Sequence, residues 1–339
     1  MIKKTHKTPN FIAKPRAIYI DGINTEPPSM EEIKLVVKSL KGGKSANDLP
    51  TDLMKDLATV FEDIWKTGIV PNSWCHTKLK TIWKGAAKGK ITNPEAHRGI
   101  QIGSTFCKIL VTVILKRLQN WYDKQLAEQQ QGFRPGRGTA EGIYLLKRIH
   151  QITYASNRSC YVLFVDLSSA FDYVNRKWMF KTINQRLSAS SNKKLFQLLE
   201  SIYKYTTTEL AGAKEEIFEI STGVRQGGPE SPTLFNLYMD YIMRVFIERA
   251  KRKHIKFTKI RYRIPGVAAL PRKRLGLGTY GVMDFDWIGY ADDLVLAFDD
   301  IENLRKGLEL LNTTLKDFVI YNNNYKIILT LSTEQTKTR

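Results

Sequence analysis

The sequence predicts an α+β protein, and three patterns support that class. Several stretches place apolar side chains three and four positions apart, which is the spacing of one helix face. A continuous apolar run over residues 161–165 ends in Asp166 and has the length and composition of a buried strand. Two further β-rich runs, 287–290 and 294–298, flank a pair of aspartates and predict a hairpin with carboxylates at its tip.

The first half of the chain is predicted to be mainly helical. Residues 1–29 are rich in Lys and Pro and are interpreted as a basic lead-in. Residues 85–103 carry cations among glycines and are interpreted as a solvated basic loop. Apolar periodicity predicts helices over 30–40, 51–65, 105–122 and 139–154, and a strand over 79–84.

The second half alternates strands and helices. After the strand that ends at Asp166, the chain turns into a helix that passes through Trp178. Asp172 lies beyond the strand and near Arg176, so we interpret it as a helix cap or an ion-pair partner. A glycine-rich turn leads into a helix at Ser231. Its backbone N–H groups could hold phosphate, but such turns are more commonly only structural. The hairpin, an amphipathic helix over 304–318 and the segment 325–331 follow.

The composition indicates a polyanionic partner. The 339 residues include 53 Lys and Arg against 33 Asp and Glu, which gives a formal net charge of +20. A membrane-spanning protein is not expected, because no apolar run approaches the roughly 20 residues that a spanning helix needs. Three widely spaced cysteines favour a reducing compartment. We therefore expect an intracellular nucleic-acid protein, in the nucleus or the cytoplasm.

The aspartates indicate metal-dependent chemistry. Asp292 and Asp293 are adjacent, and their repulsion is removed by a hard cation such as Mg²⁺, which prefers carboxylate oxygens. An acidic pair in a surface turn is commonly only solvated, so this pair alone is a weak signal. Asp166 strengthens it, because a strand-end carboxylate beside an acidic hairpin tip is typical of two-metal phosphoryl transfer.

Five motifs together resemble the reverse transcriptase domain of non-LTR, LINE-like retrotransposons. Each is weak alone, but they occur in the family's order over most of the chain. The motifs are His-Arg-Gly-Ile with Phe-Cys-Lys-Ile-Leu at 97–110, Gln-Gly-Phe-Arg-Pro at 131–135, Phe-Val-Asp through Ala-Phe-Asp at 164–172, Val-Arg-Gln-Gly with Ser-Pro-Thr-Leu-Phe-Asn at 224–236, and Tyr-Ala-Asp-Asp at 290–293.

The resemblance implies a right-hand polymerase with fingers and palm, the palm being an antiparallel sheet backed by helices. Residues 30–160 would form the fingers with the start of the palm, and 161–339 the palm. Gly228 and Glu230 stand where relatives often have Cys and Leu. The chain ends where the primer grip and thumb are expected, and no endonuclease precedes the polymerase. We therefore expect a fragment or a decayed copy of a longer element.

The resemblance also implies which residues act on the triphosphate. Asp166, Asp292 and Asp293 resemble the catalytic carboxylates that hold two Mg²⁺ ions, with Mn²⁺ as a substitute. Lys84 and Arg98 resemble the finger residues that grip the incoming nucleotide.

Four more residues resemble groups around the nucleotide. Phe171 resembles the aromatic residue that lies under the sugar and excludes a 2′-hydroxyl. Gln226 and Gly227 resemble the turn beside the nucleotide and template. Lys337 resembles a lysine near the leaving pyrophosphate.

The predicted function is RNA-directed DNA synthesis from an RNA template, a DNA primer and a dNTP. No association with a membrane is expected. One alternative is a catalytically inert remnant that only binds nucleic acid. Another is an RNA-dependent RNA polymerase, which the bulky Phe171 disfavours because such an enzyme must admit the 2′-hydroxyl.

Overall fold

A computed structural model describes residues 23–40, 50–167, 169–187, 193–210, 216–263, 280–318 and 325–331. The helices in these ranges are α1 Met30–Ser39, α2 Thr51–Thr67, α3 Asn72–Cys75, α4 Thr105–Gln125, α5 Thr139–Ala155, α6 Arg176–Arg186, α7 Lys193–Lys204, α8 Ser231–Arg252 and α9 Ile301–Asp317. The strands are β1 His76–Trp83, β2 His97–Gly103, β3 Tyr161–Leu167, β4 Thr207–Leu210, β5 Ile217–Glu219, β6 Thr258–Arg263, β7 Tyr280–Phe285, β8 Trp287–Tyr290, β9 Asp293–Phe298 and β10 Tyr325–Leu331.

The helices confirm the periodicity in the sequence, and local chemistry explains where they end. The Ser29 hydroxyl accepts a hydrogen bond from the Glu32 N–H at 3.2 Å and so caps the start of α1. Gly68, with φ of +70°, adopts the left-handed conformation that ends α2. Within the described ranges, no helix combines the length and the apolar character needed to cross a membrane.

The chain divides into two compact units, and the first contains the hairpin. The described parts of unit 1 are 127–167, 239–263, 280–318 and 325–331. Its main sheet has the strand order β10-β3-β9-β8, and every neighbouring pair is antiparallel. Helix α9 packs on β3 and β9. The predicted antiparallel sheet backed by helices is thereby confirmed, as is the α+β class.

Unit 2 contains the described parts of 14–126 and 169–238. Its sheet has the order β2-β1-β4-β5, in which β1 and β4 run parallel and the other pairs are antiparallel. The interpretation of 85–103 as a loop is wrong for its second half, because β2 pairs with β1 along its whole length. Ile100 and Ile102 alternate with polar residues in that stretch, which is the period of a strand.

The three cysteines are free thiols and all are buried. Burial raises the pKa of each thiol, and raises that of Cys107 to about 12. They therefore behave as small apolar residues of the core rather than as nucleophiles.

Gly307→Ala is expected to destabilise the protein. A methyl group on Gly307 of α9 would overlap the ring of Phe298, which is fully buried at the end of β9. Overpacking of this kind costs roughly 1–3 kcal/mol. We expect the free energy of unfolding in urea to fall, although alanine has the higher helix propensity.

Gly142→Ala in α5 is the matched control. A methyl group there would lie 3.5 Å from the Ile288 Cγ2, an ordinary contact. Alanine has the higher helix propensity, so we expect Gly142→Ala to raise the free energy of unfolding by up to about 1 kcal/mol. Equal effects of the two substitutions would contradict the packing of α9 on β9.

Candidate active site

Two carboxylates lie opposite each other on neighbouring strands of unit 1. Asp166 is the penultimate residue of β3, and Asp293 is the first residue of β9. The two are directly paired in the antiparallel register, and both are exposed. Directly opposite residues in such a pair point to the same face, with Cβ atoms roughly 4.5–5.5 Å apart. The structure therefore brings together two of the three predicted aspartates.

The electrostatics of this pair favour a cation. The pKa of Asp293 is raised above its ordinary value, first by partial burial and then by the negative charge of Asp166. Like charges directly opposite in a sheet destabilise it. A divalent cation would reverse that effect, and carboxylate oxygens suit hard ions such as Mg²⁺.

The third predicted aspartate lies in the hairpin turn. Tyr290 pairs with Asp293, so Ala291 and Asp292 form a two-residue turn between β8 and β9. Asp292 is half-buried. Across the part of the chain that the structure describes, no group of three or more His, Cys, Asp or Glu side chains is arranged to hold a metal ion. The role of Asp292 beside the opposed pair therefore stays a prediction.

In unit 2, the glycine-rich turn is bound to two other segments. The Gln226 amide donates to the Asp172 carboxylate at 2.9 Å, and its backbone carbonyl accepts from the Gln101 N–H at 2.7 Å. Gly227 has φ of +111°, and a Cβ there would lie 3.0 Å from the Gln101 carbonyl oxygen. Glycine is therefore required at this close approach. Gln101 was not identified from the sequence, because the stretch that forms β2 was interpreted as a loop.

The interpretation of Asp172 as a helix cap or partner of Arg176 is wrong. Asn175 caps α6, since its side chain accepts from the Trp178 N–H at 3.0 Å. The Arg176 guanidinium donates to backbone carbonyls, including that of Gly223 at 2.7 Å. Asp172 binds Gln226 instead. Burial raises the pKa of Asp172, against the opposing effects of the Gln226 hydrogen bond and of the charge on Lys84.

The two predicted triphosphate ligands lie near the connection between β1 and β2. Lys84 follows β1, and its ammonium group donates to the Glu95 carbonyl at 2.9 Å. Arg98 is in β2, paired with Ile82 of β1. Both side chains are exposed.

Phe171 lies in the turn that follows β3. Its ring stacks on that of Phe235 in α8, with centroids 4.4 Å apart and an interplanar angle of 15°. Phe235 is fully buried, whereas Phe171 is half-buried. The predicted Lys337 lies outside the described residues.

Gly228 and Glu230, which stand where relatives often have Cys and Leu, are in direct contact, and the small residue makes room for the large one. The Glu230 side chain is buried and accepts a hydrogen bond from the Tyr203 hydroxyl at 2.9 Å. A Cβ on Gly228 would lie 2.6 Å from the Glu230 Oε1, so glycine leaves the space that the carboxylate fills. Burial alone would lower the pKa of Arg225, but the nearby Glu230 charge helps to raise it. The pair therefore places a compensating charge inside unit 2.

Comparison with known proteins connects these features to one family. A family model described as reverse transcriptase (RNA-dependent DNA polymerase) matches residues 87–338. A solved structure of apo telomerase from Candida tropicalis, truncated from its C-terminal domain, is also similar, with a TM-score of 0.47 and 10% identity. That similarity covers 80% of this chain and 56% of the telomerase chain.

Three curated relatives illustrate the sequence similarity. The Pol polyprotein of the type-2 retrotransposable element R2DM from Drosophila melanogaster is 28% identical over 59% of this chain and 18% of its own length. The RNA-directed DNA polymerase from the mobile element jockey of the same species is 24% identical, over 62% and 24%. The Pol polyprotein of the type-1 element R2 from Popillia japonica is 26% identical, over 69% and 29%. The chain thus spans less than a third of each of these proteins.

Asp166→Asn is expected to stabilise the protein in the absence of divalent ions. The substitution removes the repulsion with Asp293, which in a directly opposed pair is roughly 0.2–1 kcal/mol. Denaturant midpoints measured with EDTA should therefore rise, and added Mg²⁺ should reduce the difference from the unsubstituted chain.

Asp299→Asn is the control for this measurement. Asp299 follows the other end of β9 and forms an ion pair with Arg158 at 3.4 Å. Its neutralisation should not raise stability in EDTA. Destabilisation by Asp166→Asn in EDTA would show that the opposed carboxylates are not in net repulsion.

Proposed function

Because this chain belongs to the reverse transcriptase family, we propose that it is an RNA-directed DNA polymerase that joins a primer 3′-hydroxyl to a dNTP. The observation that supports this most strongly is the register that sets Asp166 opposite Asp293. Two opposed carboxylates on exposed residues suit a site that holds cations beside a transferring phosphoryl group.

Asp166, Asp292 and Asp293 are the proposed metal ligands. The raised pKa of Asp293 fits such a role, since a bound cation would relieve the repulsion from Asp166. Two Mg²⁺ or Mn²⁺ ions held by these carboxylates would lower the pKa of the primer hydroxyl and would stabilise charge on the leaving pyrophosphate. Strands β3 and β9 would hold the Asp166 and Asp293 carboxylates in place before the reaction, which limits the reorganisation that the reaction needs.

Four of the proposed nucleotide contacts, Lys84, Arg98, Gln226 and Gly227, belong to unit 2. Arg98 offers a planar guanidinium that binds phosphate through two parallel hydrogen bonds, and Lys84 offers a compact charge. Both are exposed and so are accessible to a triphosphate. Gln226 and Gly227 are proposed to lie beside the nucleotide and template. Lys337 is proposed to lie near the leaving pyrophosphate.

The net charge supports a nucleic-acid substrate. An excess of 20 positive charges favours binding to the phosphate backbones of an RNA template and a DNA primer.

We also propose that residues 30–160 form the fingers with the start of the palm, and that residues 161–339 form the palm. Binding without turnover is the second candidate function, and it is an explicit outcome of the first experiment below.

Asp166→Asn and Asp292→Asn are each expected to abolish primer extension on a poly(rA)/oligo(dT) substrate. Loss of a metal ligand removes several kcal/mol of transition-state stabilisation, so we expect a fall of at least about a hundredfold. Binding of the hybrid, measured by fluorescence anisotropy, should change by less than about twofold, because the contacts to the phosphate backbone remain.

Asp299→Asn serves as the control and should retain full extension. If both aspartate variants lose hybrid binding together with extension, the carboxylates have a structural role. If the unsubstituted chain binds the hybrid without extending the primer, it is an inert nucleic-acid-binding protein.

Phe171→Ala is expected to raise the use of ribonucleotides relative to deoxyribonucleotides. The ring of this half-buried residue is proposed to occupy the space that a 2′-hydroxyl would need. Removing it admits that group, and we expect the ratio of kcat/KM values for rUTP and dTTP to rise by about tenfold or more.

Phe235→Leu is the matched control, because Phe235 supplies the other ring of the stack and is fully buried. Its substitution should lower stability and leave the rUTP/dTTP ratio unchanged. The same ratio in Phe171→Ala as in the unsubstituted chain would mean that Phe171 is only a packing residue.

A further inference from the structure

A buried glutamine contacts the hairpin turn that carries Asp292. Gln130 is fully buried, and its side-chain oxygen accepts two backbone hydrogen bonds. One comes from the Gly132 N–H at 3.0 Å and the other from the Ala291 N–H at 3.1 Å. One amide oxygen therefore joins the segment after α4 to the first residue of the hairpin turn.

The segment around Gln130 contacts β8 through its main chain at Gly289. Gln130 forms a parallel bridge with Gly289. The Gln131 N–H donates to the Gly289 carbonyl at 2.8 Å, and the Gly289 N–H donates to the Gln129 carbonyl at 3.0 Å. These main-chain hydrogen bonds fix the position of Gln130 along β8, and therefore its distance from the turn.

The approach of the two segments is too close for a side chain at residue 132. A Cβ on Gly132 would lie 2.5 Å from the Ala291 backbone nitrogen. Beyond the turn, the ring of Phe133 faces that of Tyr290, with centroids 6.3 Å apart. The turn is thus held by backbone and side-chain contacts from one short segment, 129–133.

Ala291 needs this support because of its backbone conformation. Its φ is +58°, in the left-handed region that a residue with a Cβ adopts only at a cost. Ala291 is also buried, so its N–H would have no acceptor without the Gln130 oxygen. Both effects make the turn conformation conditional on residue 130.

We propose that Gln130 is a positioning residue for the reaction, because it holds the turn that carries Asp292 and leads directly into Asp293, the first residue of β9. This inference depends on the proposed function only for its kinetic consequence. A glutamate at this position would bury a negative charge against the turn that carries Asp292.

The test compares Gln130→Met with Gln129→Met. Methionine keeps the length of the side chain and removes the acceptor. Gln129 is the matched control because its amide donates to the Asp286 carboxylate at 3.3 Å, away from the turn. We expect Gln130→Met to lower kcat for primer extension by roughly tenfold or more, with KM for dTTP and hybrid affinity changed less than twofold. Gln129→Met should leave kcat unchanged.

Ala291→Gly tests whether the effect acts through the turn. Glycine adopts positive φ without cost, so the turn no longer depends on Gln130 to the same extent. The loss of kcat caused by Gln130→Met should therefore be smaller in the Ala291→Gly background. Equal losses in both backgrounds, or a wild-type kcat in Gln130→Met, would overturn the proposal.

Hydrogen exchange at the Ala291 amide separates this inference from the proposed function. Gln130→Met should speed that exchange by about tenfold or more, whereas Gln129→Met should not. Unchanged exchange in Gln130→Met refutes the positioning role, whatever the activity. Faster exchange in a chain that extends no primer would support the contact while refuting the polymerase function.

Discussion

The candidate active site depends on the register between β3 and β9, and that register is a consequence of hydrophobic burial. Leu163 and Val165 are buried on one face of β3, and they pair with Leu296 and Leu294 of β9, which are buried on the same face. A shift of one residue would expose one set of these side chains. Burying each contributes roughly 1.5–3 kcal/mol, whereas repulsion between opposed carboxylates costs roughly 0.2–1 kcal/mol. Burial therefore outweighs repulsion and holds the two aspartates together on the opposite face.

In unit 2, polar contacts hold the glycine-rich turn, in addition to the packing of the buried Val224. A Cβ on Gly223 would lie 2.8 Å from the Asp172 carbonyl oxygen, so the two backbones are in direct contact. The Arg176 guanidinium bonds the Gly223 carbonyl at 2.7 Å, and burial lowers the pKa of this arginine to about 10. It therefore stays charged at neutral pH. Together with the bond from Gln101 to Gln226, these contacts fix the turn at both ends.

The sequence predicted long elements better than short ones. Helices α4 and α5 and strand β3 were expected within a few residues, because their apolar positions repeat over many residues. Strand β2 was not predicted, because the cations and glycines of residues 85–103 indicated a loop and the alternation of Ile100 and Ile102 with polar residues was not used. Helix α7 was also not predicted, although Leu195, Leu199 and Ile202 form a buried face. For the site, the two opposed carboxylates were predicted to converge, and the partners of Asp172 were not.

The sequence by itself determined the α+β class, the family and the identity of the candidate acidic and basic groups. Each of these follows from local periodicity or from short motifs, which neighbouring residues carry. Only the tertiary structure decided the register of Asp166 with Asp293, the space that Gly228 leaves for Glu230, and the bond from the Ala291 N–H to the Gln130 side chain. That last bond joins residues 161 positions apart. Such contacts leave no periodic signal, because backbone geometry and burial select them only when distant segments pack together.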